Sequence, residues 1–331
     1  MGRVGDLKGR FTARTIAYVC VVIPFAVASV ELGLRGRILF NDHHRFDGNG
    51  LFRYEANTQV GPTSELTTNN HGFFGPSMAP GQDEAQYRVV ILGSSVVTTP
   101  DLARAVTDAL QPRIPDRTVL VNTAGIPRYT SYHNLLLLKH HVLPLNPDCV
   151  VLYLGLNDNV YNTFPHRGAE PYDGFYDPTD FTRSVLFDIL HYQAVEKRFR
   201  VRRHFEDLRS ADIFERNVRA MIDLAHANGV RVILMPVVVS WPTGDPDLAA
   251  IIRANEGPMS HFWGNLDSAL RGLDTHRAIL RQLGVGTGAG WCDAEPLLAH
   301  DASVFRDLCH LTPMGITTLG RTMADCITKA N

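Results

Sequence analysis

Arg88-Val89-Val90-Ile91-Leu92-Gly93-Ser94-Ser95 is a short apolar, β-branched run that stops on a glycine and two hydroxyl residues. Such a run predicts a parallel strand buried on both faces, emptying into a turn at its carboxyl end. Two more runs of this kind follow, Thr118-Val119-Leu120-Val121-Asn122 and Cys149-Val150-Val151-Leu152-Tyr153-Leu154, and a fourth spans Val230 to Val239. Segments with helical spacing lie between them: Leu102 to Leu110, Ser131 to His141 and, after a less regular stretch from Asn159 to about Ser210, Phe214 to Asn228. Thr275 to Leu283 and Pro313 to Ala330 continue the alternation to the C-terminus. Strands alternating with helices predict an α/β domain whose parallel sheet is covered on both faces.

In open sheets of this kind the ligand crevice lies beyond the carboxyl ends of the strands. Ser95, Gly125 and Asn157 each follow a predicted strand by one to three residues, so all three fall on that edge. Far downstream, Asp307-Leu308-Cys309-His310 puts a carboxylate three residues before an imidazole. A carboxylate so placed holds the ring in one tautomer and stabilises its charged form. The ring's far nitrogen is then free to activate a serine hydroxyl. The ordered set points to acyl transfer.

Taken in order, Gly93-Ser94-Ser95, Asn122-Thr123-Ala124-Gly125, Gly155-Leu156-Asn157-Asp158 and Asp307-Leu308-Cys309-His310 resemble the motifs of the SGNH (GDSL-type) hydrolase family, over about Tyr87 to the C-terminus. The resemblance implies a three-layer, flavodoxin-like parallel sheet with helices on both faces, and ester chemistry that calls for no cofactor. It implies that Ser95 attacks an ester carbonyl, that His310 takes its proton and returns it to the leaving alcohol, and that Asp307 orients the ring. The backbone N–H groups of Ser95 and Gly125 and the side-chain amide of Asn157 would meet the oxyanion. Gly93-Ser94-Ser95 departs from the Gly-Asp-Ser common in the family. The missing acid is not a triad member, but its absence leaves Ser94 as a second candidate nucleophile. Upstream, Asn69-Asn70-His71-Gly72-Phe73-Phe74-Gly75-Pro76 is similar to the Asn-x-x-Gly-Phe-Arg-Gly segment of many membrane-anchored bacterial members, with Phe74 in place of the Arg. The plainer reading of that segment is a turn-rich loop.

The N-terminus carries a second message. Arg3, Lys8, Arg10 and Arg14 precede an uncharged, mostly apolar stretch from Thr15 to Val30, interrupted by Glu31 and resumed by Leu32-Gly33-Leu34. A spanning helix needs about 20 residues, which the run reaches if Glu31 lies at the interface. The basic flank predicts an N-terminus inside and the remainder exported. Ala26-Val27-Ala28 also fits a small-x-small cleavage site, so a removable signal peptide competes with an anchor. The expected organisation is a signal anchor or transmembrane helix over 1–35, a loop-rich extension over 36–86 that reaches from the membrane and wraps the domain, and a hydrolase-like domain over 87–331.

Composition narrows the rest. Of 331 residues, 45% are hydrophobic and 20% charged, and the net charge of −2 offers no basic field for nucleic acid. Cys20, Cys149, Cys292, Cys309 and Cys326 have neither zinc nor redox spacing. Cys292 and Cys309 would be able to pair in an oxidising compartment, or to remain free buried thiols. The pairs His43-His44 and His140-His141 lack further ligands at metal spacing, so no metal is expected. Asp158 reads as a structural hydrogen-bond partner in its strand-end turn. Gly284 to Gly290 lacks the Lys and hydroxyl of a phosphate loop and reads as a plain turn. Tyr172, Phe175, Tyr176, Trp241, His261, Phe262 and Trp263 fall in two excursions beyond strand ends, either lining a cleft or forming small cores of their own. The function expected is a membrane-tethered serine esterase, its substrate an acylated carbohydrate or lipid of the envelope. An O-acyltransferase with the same site and an inactive scaffold subunit are the alternatives.

Overall fold

Within the computed structural model the described residues are 18–41, 44–46, 51–60, 66–79, 81, 83–163, 204–240 and 263–329, with 184, 186, 187, 190, 246, 247 and 250. A π-helical turn, Tyr18–Val22, runs into α1 (Ile23–Asn41). Tyr18–Gly36 is, among the described residues, the helix long and apolar enough to cross a membrane by length and composition. It belongs to a compact unit made of the described residues of Met1–Asp42 and Phe175–Phe199.

The second unit takes His43–Gly174 and Arg200–Asn331. It begins with an antiparallel ribbon of β1 (His44–Phe46) and β2 (Phe52–Tyr54). The main sheet follows, built from β3 (Gln86–Gly93), β4 (Thr118–Gly125), β5 (Cys149–Leu154), β6 (Arg231–Pro236) and β7 (Gly290–Trp291). All neighbours are parallel, in the order β4-β3-β5-β6-β7. The order reverses between β3 and β5, which is the flavodoxin-like arrangement and puts the switch point beside Ser95. Burial explains the continuous apolar runs: Val89 to Leu92 and Cys149 to Leu152 are fully buried.

Among the described residues, the helices of this unit include α2 (Pro100–Leu110), α3 (Ser131–Leu137), α4 (Val160–Thr163), α5 (Arg209–Ala227), α6 (Leu266–Gly286), α7 (Glu295–Leu298) and α8 (Pro313–Lys329). α2 packs with α8, while α3 and α6 each pack with α5. Right-handed crossovers on either side of a reversal in strand order place these two groups on opposite faces of the sheet.

Several boundaries differ from the sequence reading for identifiable reasons. α5 begins at Arg209 because its first turn buries a polar residue, Ser210, which an apolar pattern does not register. α6 begins at Leu266, capped by Asn265, whose side chain accepts the Ser268 N–H at 3.0 Å. It also runs on to Gly286, so the expected turn starts later. At Gly284 the helix lies close to β7: a Cβ there would meet the Trp291 Cβ at 3.1 Å, a tight contact that a small shift of Trp291 would have to relieve. Gly290 itself opens β7, which is too short to show a period. The helix from Ser131 widens into a π-helical turn at Leu138–Val142. Of the two alternatives for Cys292 and Cys309, pairing with each other or remaining free, Cys309 is a buried free thiol, while Cys292 bonds Cys326 in a disulfide that joins the end of β7 to α8.

The extension packs on the domain through its backbone. Phe74 forms an antiparallel bridge with Thr123, its N–H donating to the Thr123 carbonyl at 3.0 Å and its carbonyl accepting the Thr123 N–H at 2.8 Å. Asn69 Nδ2 donates to Asn122 Oδ1 at 2.5 Å, and Tyr54 stands edge-on to Phe74 with ring centroids 5.5 Å apart. The aromatics Tyr172, Phe175, Tyr176, Trp241, His261 and Phe262 lie outside the described residues, as do Arg3, Lys8, Arg10, Arg14 and His43.

Candidate active site

β3 ends at Gly93, and the chain turns at once into a single 3-10 turn, Ser95–Val97. The Ser94 hydroxyl makes no capping bond; its carbonyl accepts the Val97 N–H at 3.1 Å and the Thr98 hydroxyl at 3.2 Å. Gly125 closes β4 directly against this turn. A Cβ at position 125 would run into the Ser94 carbonyl oxygen and Val97 Cγ2, so only glycine permits the approach.

His310 comes from the loop before α8. Its Nε2 lies 2.9 Å from Ser95 Oγ, and its Nδ1 lies 2.8 Å from Asp307 Oδ2. A carboxylate only accepts, so Nδ1 carries the proton and Nε2 presents its lone pair to the serine hydroxyl. Asp307 also caps its own turn, Oδ1 accepting the N–H of Cys309 at 3.0 Å and of His310 at 2.8 Å. Partial burial pushes the Asp307 carboxyl up, but the His310 ring and these two N–H groups outweigh it and hold it at about 2. Ser240, just past β6, fixes the loop by donating its N–H to the Leu308 carbonyl at 2.9 Å.

Asn157 starts the 3-10 turn after β5 and is buried. Its Nδ2 donates to the Tyr129 carbonyl at 3.1 Å, and its Oδ1 accepts the indole N–H of Trp263 at 3.1 Å. Beneath it, Gly155 takes a positive φ of 122°. Its carbonyl accepts a bond from His276 Nδ1 at 2.6 Å, and His276 Nε2 accepts from Ser210 Oγ at 2.7 Å. Asp158 points away from the site and accepts the Ser131 N–H at 3.0 Å and its hydroxyl at 2.5 Å. Burial pushes the Asp158 carboxyl up to about 6, the Ser131 bonds opposing.

The five residues singled out in the sequence thus meet at one sheet edge, with Ser95 rather than Ser94 facing the imidazole. Trp263, His276, Ser210 and Ser240 are the supporting residues, and the last three are ones that sequence reasoning did not reach. Only Trp263 carried any signal, as one of several aromatics in an excursion. Asp307, Cys309 and His310 offer ligand atoms within 4.8 Å of one another. The first and last already bond each other, and burial raises the Cys309 thiol well above its ordinary value. The cluster therefore suits a hydrogen-bonded serine site better than a metal.

The GDSL-like Lipase/Acylhydrolase family profile matches residues 91–315. This chain belongs to that family. Like other GDSL-like acylhydrolases, it is a serine hydrolase acting on ester bonds. Solved structures similar to this GDSL-like chain include a catalytic variant of an acetylxylan esterase from Geobacillus stearothermophilus, at 15% identity, covering 75% of this chain and 96% of that one, with a TM-score of 0.47. A GDSL-like lipase from Bacteroides thetaiotaomicron is 19% identical over 75% and 90% of the two chains, with a TM-score of 0.46. An alpha/beta hydrolase from the metagenome of Lake Arreo, Spain, is 14% identical over 75% and 97%, with a TM-score of 0.46. No curated protein matches the chain.

Proposed function

We propose that this protein is an exported, membrane-tethered serine esterase that removes an O-acyl group from an envelope glycan or lipid, with Ser95, His310 and Asp307 as its triad. The observation that carries this reading is the continuous hydrogen-bond chain from Asp307 Oδ2 through both ring nitrogens of His310 to Ser95 Oγ, with links of 2.8 and 2.9 Å. Ser95 Oγ attacks the acyl carbonyl as its proton passes to His310 Nε2. The imidazolium, stabilised by ionised Asp307, then protonates the leaving alcohol. Water repeats the sequence on the acyl-enzyme. The N–H groups of Ser95 and Gly125 and one Nδ2 proton of Asn157 receive the oxyanion.

The tether and the export rest on other features. The apolar helix Tyr18–Gly36 supports an anchor. The Cys292–Cys326 disulfide supports an oxidising compartment outside the cytoplasm.

A fluorophosphonate probe on the folded, full-length protein tests the triad. We expect Ser95-dependent labelling, absent in Ser95→Ala and strongly slowed in Asp307→Asn. No labelling of the folded parent, or labelling that survives Ser95→Ala, would overturn the assignment. Product analysis on acetylated glycans and short-chain esters, with and without a polysaccharide acceptor, then separates hydrolysis from acyl transfer.

A further inference from the structure

The exposed apolar surface among the described residues is concentrated in two stretches far apart in sequence. One is α1 with the turn before it, where Tyr18, Val21, Phe25, Val30 and Leu32 all face outward. The other holds Phe187, 65% exposed, and Leu190, 55% exposed; elsewhere only Val285, Leu297 and Met314 are exposed large apolar side chains. Leu186, Phe187 and Leu190 are helical, and a spacing of three puts Phe187 and Leu190 on one side of the turn.

Glu31 joins these stretches. Its Oε2 accepts the Leu186 N–H at 2.7 Å and the Ser184 hydroxyl at 3.0 Å, while Oε1 receives the Arg35 guanidinium at 2.6 Å. Ser184 Oγ in turn accepts the Phe187 N–H at 3.0 Å. A glutamate is costly in hydrocarbon and tolerable at the membrane–water boundary. From Tyr18 to Glu31 the helix rises about 20 Å at about 1.5 Å per residue, within a hydrocarbon core about 30 Å thick. With the uncharged Thr15-Ile16-Ala17 ahead of it, Glu31 falls toward the far boundary of that layer. The segment bonded to it falls at the same depth.

We propose that Leu186, Phe187 and Leu190 form a second membrane contact, an apolar foot bonded to Glu31 through Ser184 and the Leu186 N–H, that lies in the headgroup–acyl boundary of an anionic bilayer beside the anchor. The sequence that follows, Lys197-Arg198-Phe199-Arg200-Val201-Arg202-Arg203, supplies the positive charge that anionic headgroups attract. The foot rests on the anchor reading, and its test separates the two.

The full-length protein is reconstituted in phosphatidylcholine–phosphatidylglycerol vesicles with brominated acyl chains, and the tryptophan emission of Phe187→Trp and Phe25→Trp is compared with that of the parent. We expect the added emission to be lost in both variants, to deep bromines for Phe25→Trp and to bromines near the headgroup for Phe187→Trp. Quenching of Phe25→Trp alone, whether water or another protein covers position 187, overturns the foot and leaves the anchor standing. Quenching of neither removes the anchor and the foot with it. Leu190→Trp repeats the measurement at the second exposed position, and an unchanged thermal melt shows that each variant is folded.

Discussion

The indole N–H of Trp263 donates to Asn157 Oδ1 at 3.1 Å, which fixes which end of the Asn157 amide faces which way. One Nδ2 proton is used on the Tyr129 carbonyl, so the second is the one left for a developing oxyanion. Trp263 is then a positioning residue for the oxyanion donor. Trp263→Phe keeps the apolar bulk and removes the donor; with about 1.4 kcal/mol for the lost bond, kcat should fall about tenfold with little change in KM. Asn157→Ala should lower kcat about 100- to 1000-fold. In that background Trp263→Phe should have almost no further effect. Additive losses in the double variant would show that the indole acts elsewhere.

Gly125→Ala tests the contact between β4 and the nucleophile turn. The added methyl runs into the Ser94 carbonyl and Val97 Cγ2, so the turn that aims Ser95 must move. We expect a stability loss of about 1–3 kcal/mol by urea denaturation and a fall in fluorophosphonate labelling larger than that instability explains. Wild-type labelling in the variant would show that the turn has room to spare.

Burial holds the His133 and His276 rings near 4, below the 6.5 of an exposed ring, so their stabilisation is lost as pH falls from about 6.5 through 4. Asp158, raised by burial from 3.8 to about 6, works the other way: its contribution is full below about 4 and lost as pH rises through 6. From these three groups alone, the unfolded chain binds about one net proton more than the folded one near pH 5, a contribution of about 1.4 kcal/mol per pH unit to the slope. Asp158→Asn removes the opposing proton and should steepen the slope by about 1.4 kcal/mol per pH unit. Urea midpoints measured from pH 4 to 7 would refute the assignment if the two slopes were equal.

The Cys292–Cys326 bridge closes a loop with a sequence separation of 34. Reduction, or Cys292→Ala with Cys326→Ala, should cost about 2–4 kcal/mol. For a domain of this size that corresponds to a drop in Tm of about 3–7 °C. Calorimetry with and without reductant checks it; a Tm insensitive to both treatments would mean that the bond contributes nothing to the folded state.

How much of this was legible in the sequence depends on the range of each contact. Buried parallel strands have apolar side chains on both faces, so β3, β4 and β5 stand out as unbroken runs, and the site residues follow at their ends. Asp307 and His310 are legible because their bond spans three residues. Trp263 is 106 residues from Asn157 and Ser210 is 66 from His276, so no local pattern links either pair. The disulfide partner of Cys292 depends on how α8 packs, which residue spacing does not encode. β7 has two residues and no period to read.

The bridge between Phe74 and Thr123 lies thirteen residues upstream of Tyr87, where the expected hydrolase-like domain begins. β4 is the edge strand of the sheet, and the extension meets its open side. A fragment cut at Tyr87 would keep every residue of the candidate site and lose this cover. The bared N–H and C=O groups around Thr123 would then be a template on which fragments stack and precipitate. A cut at Tyr87 is therefore expected to leave a portion that carries the chemistry yet pairs with its own copies more readily than the longer chain does.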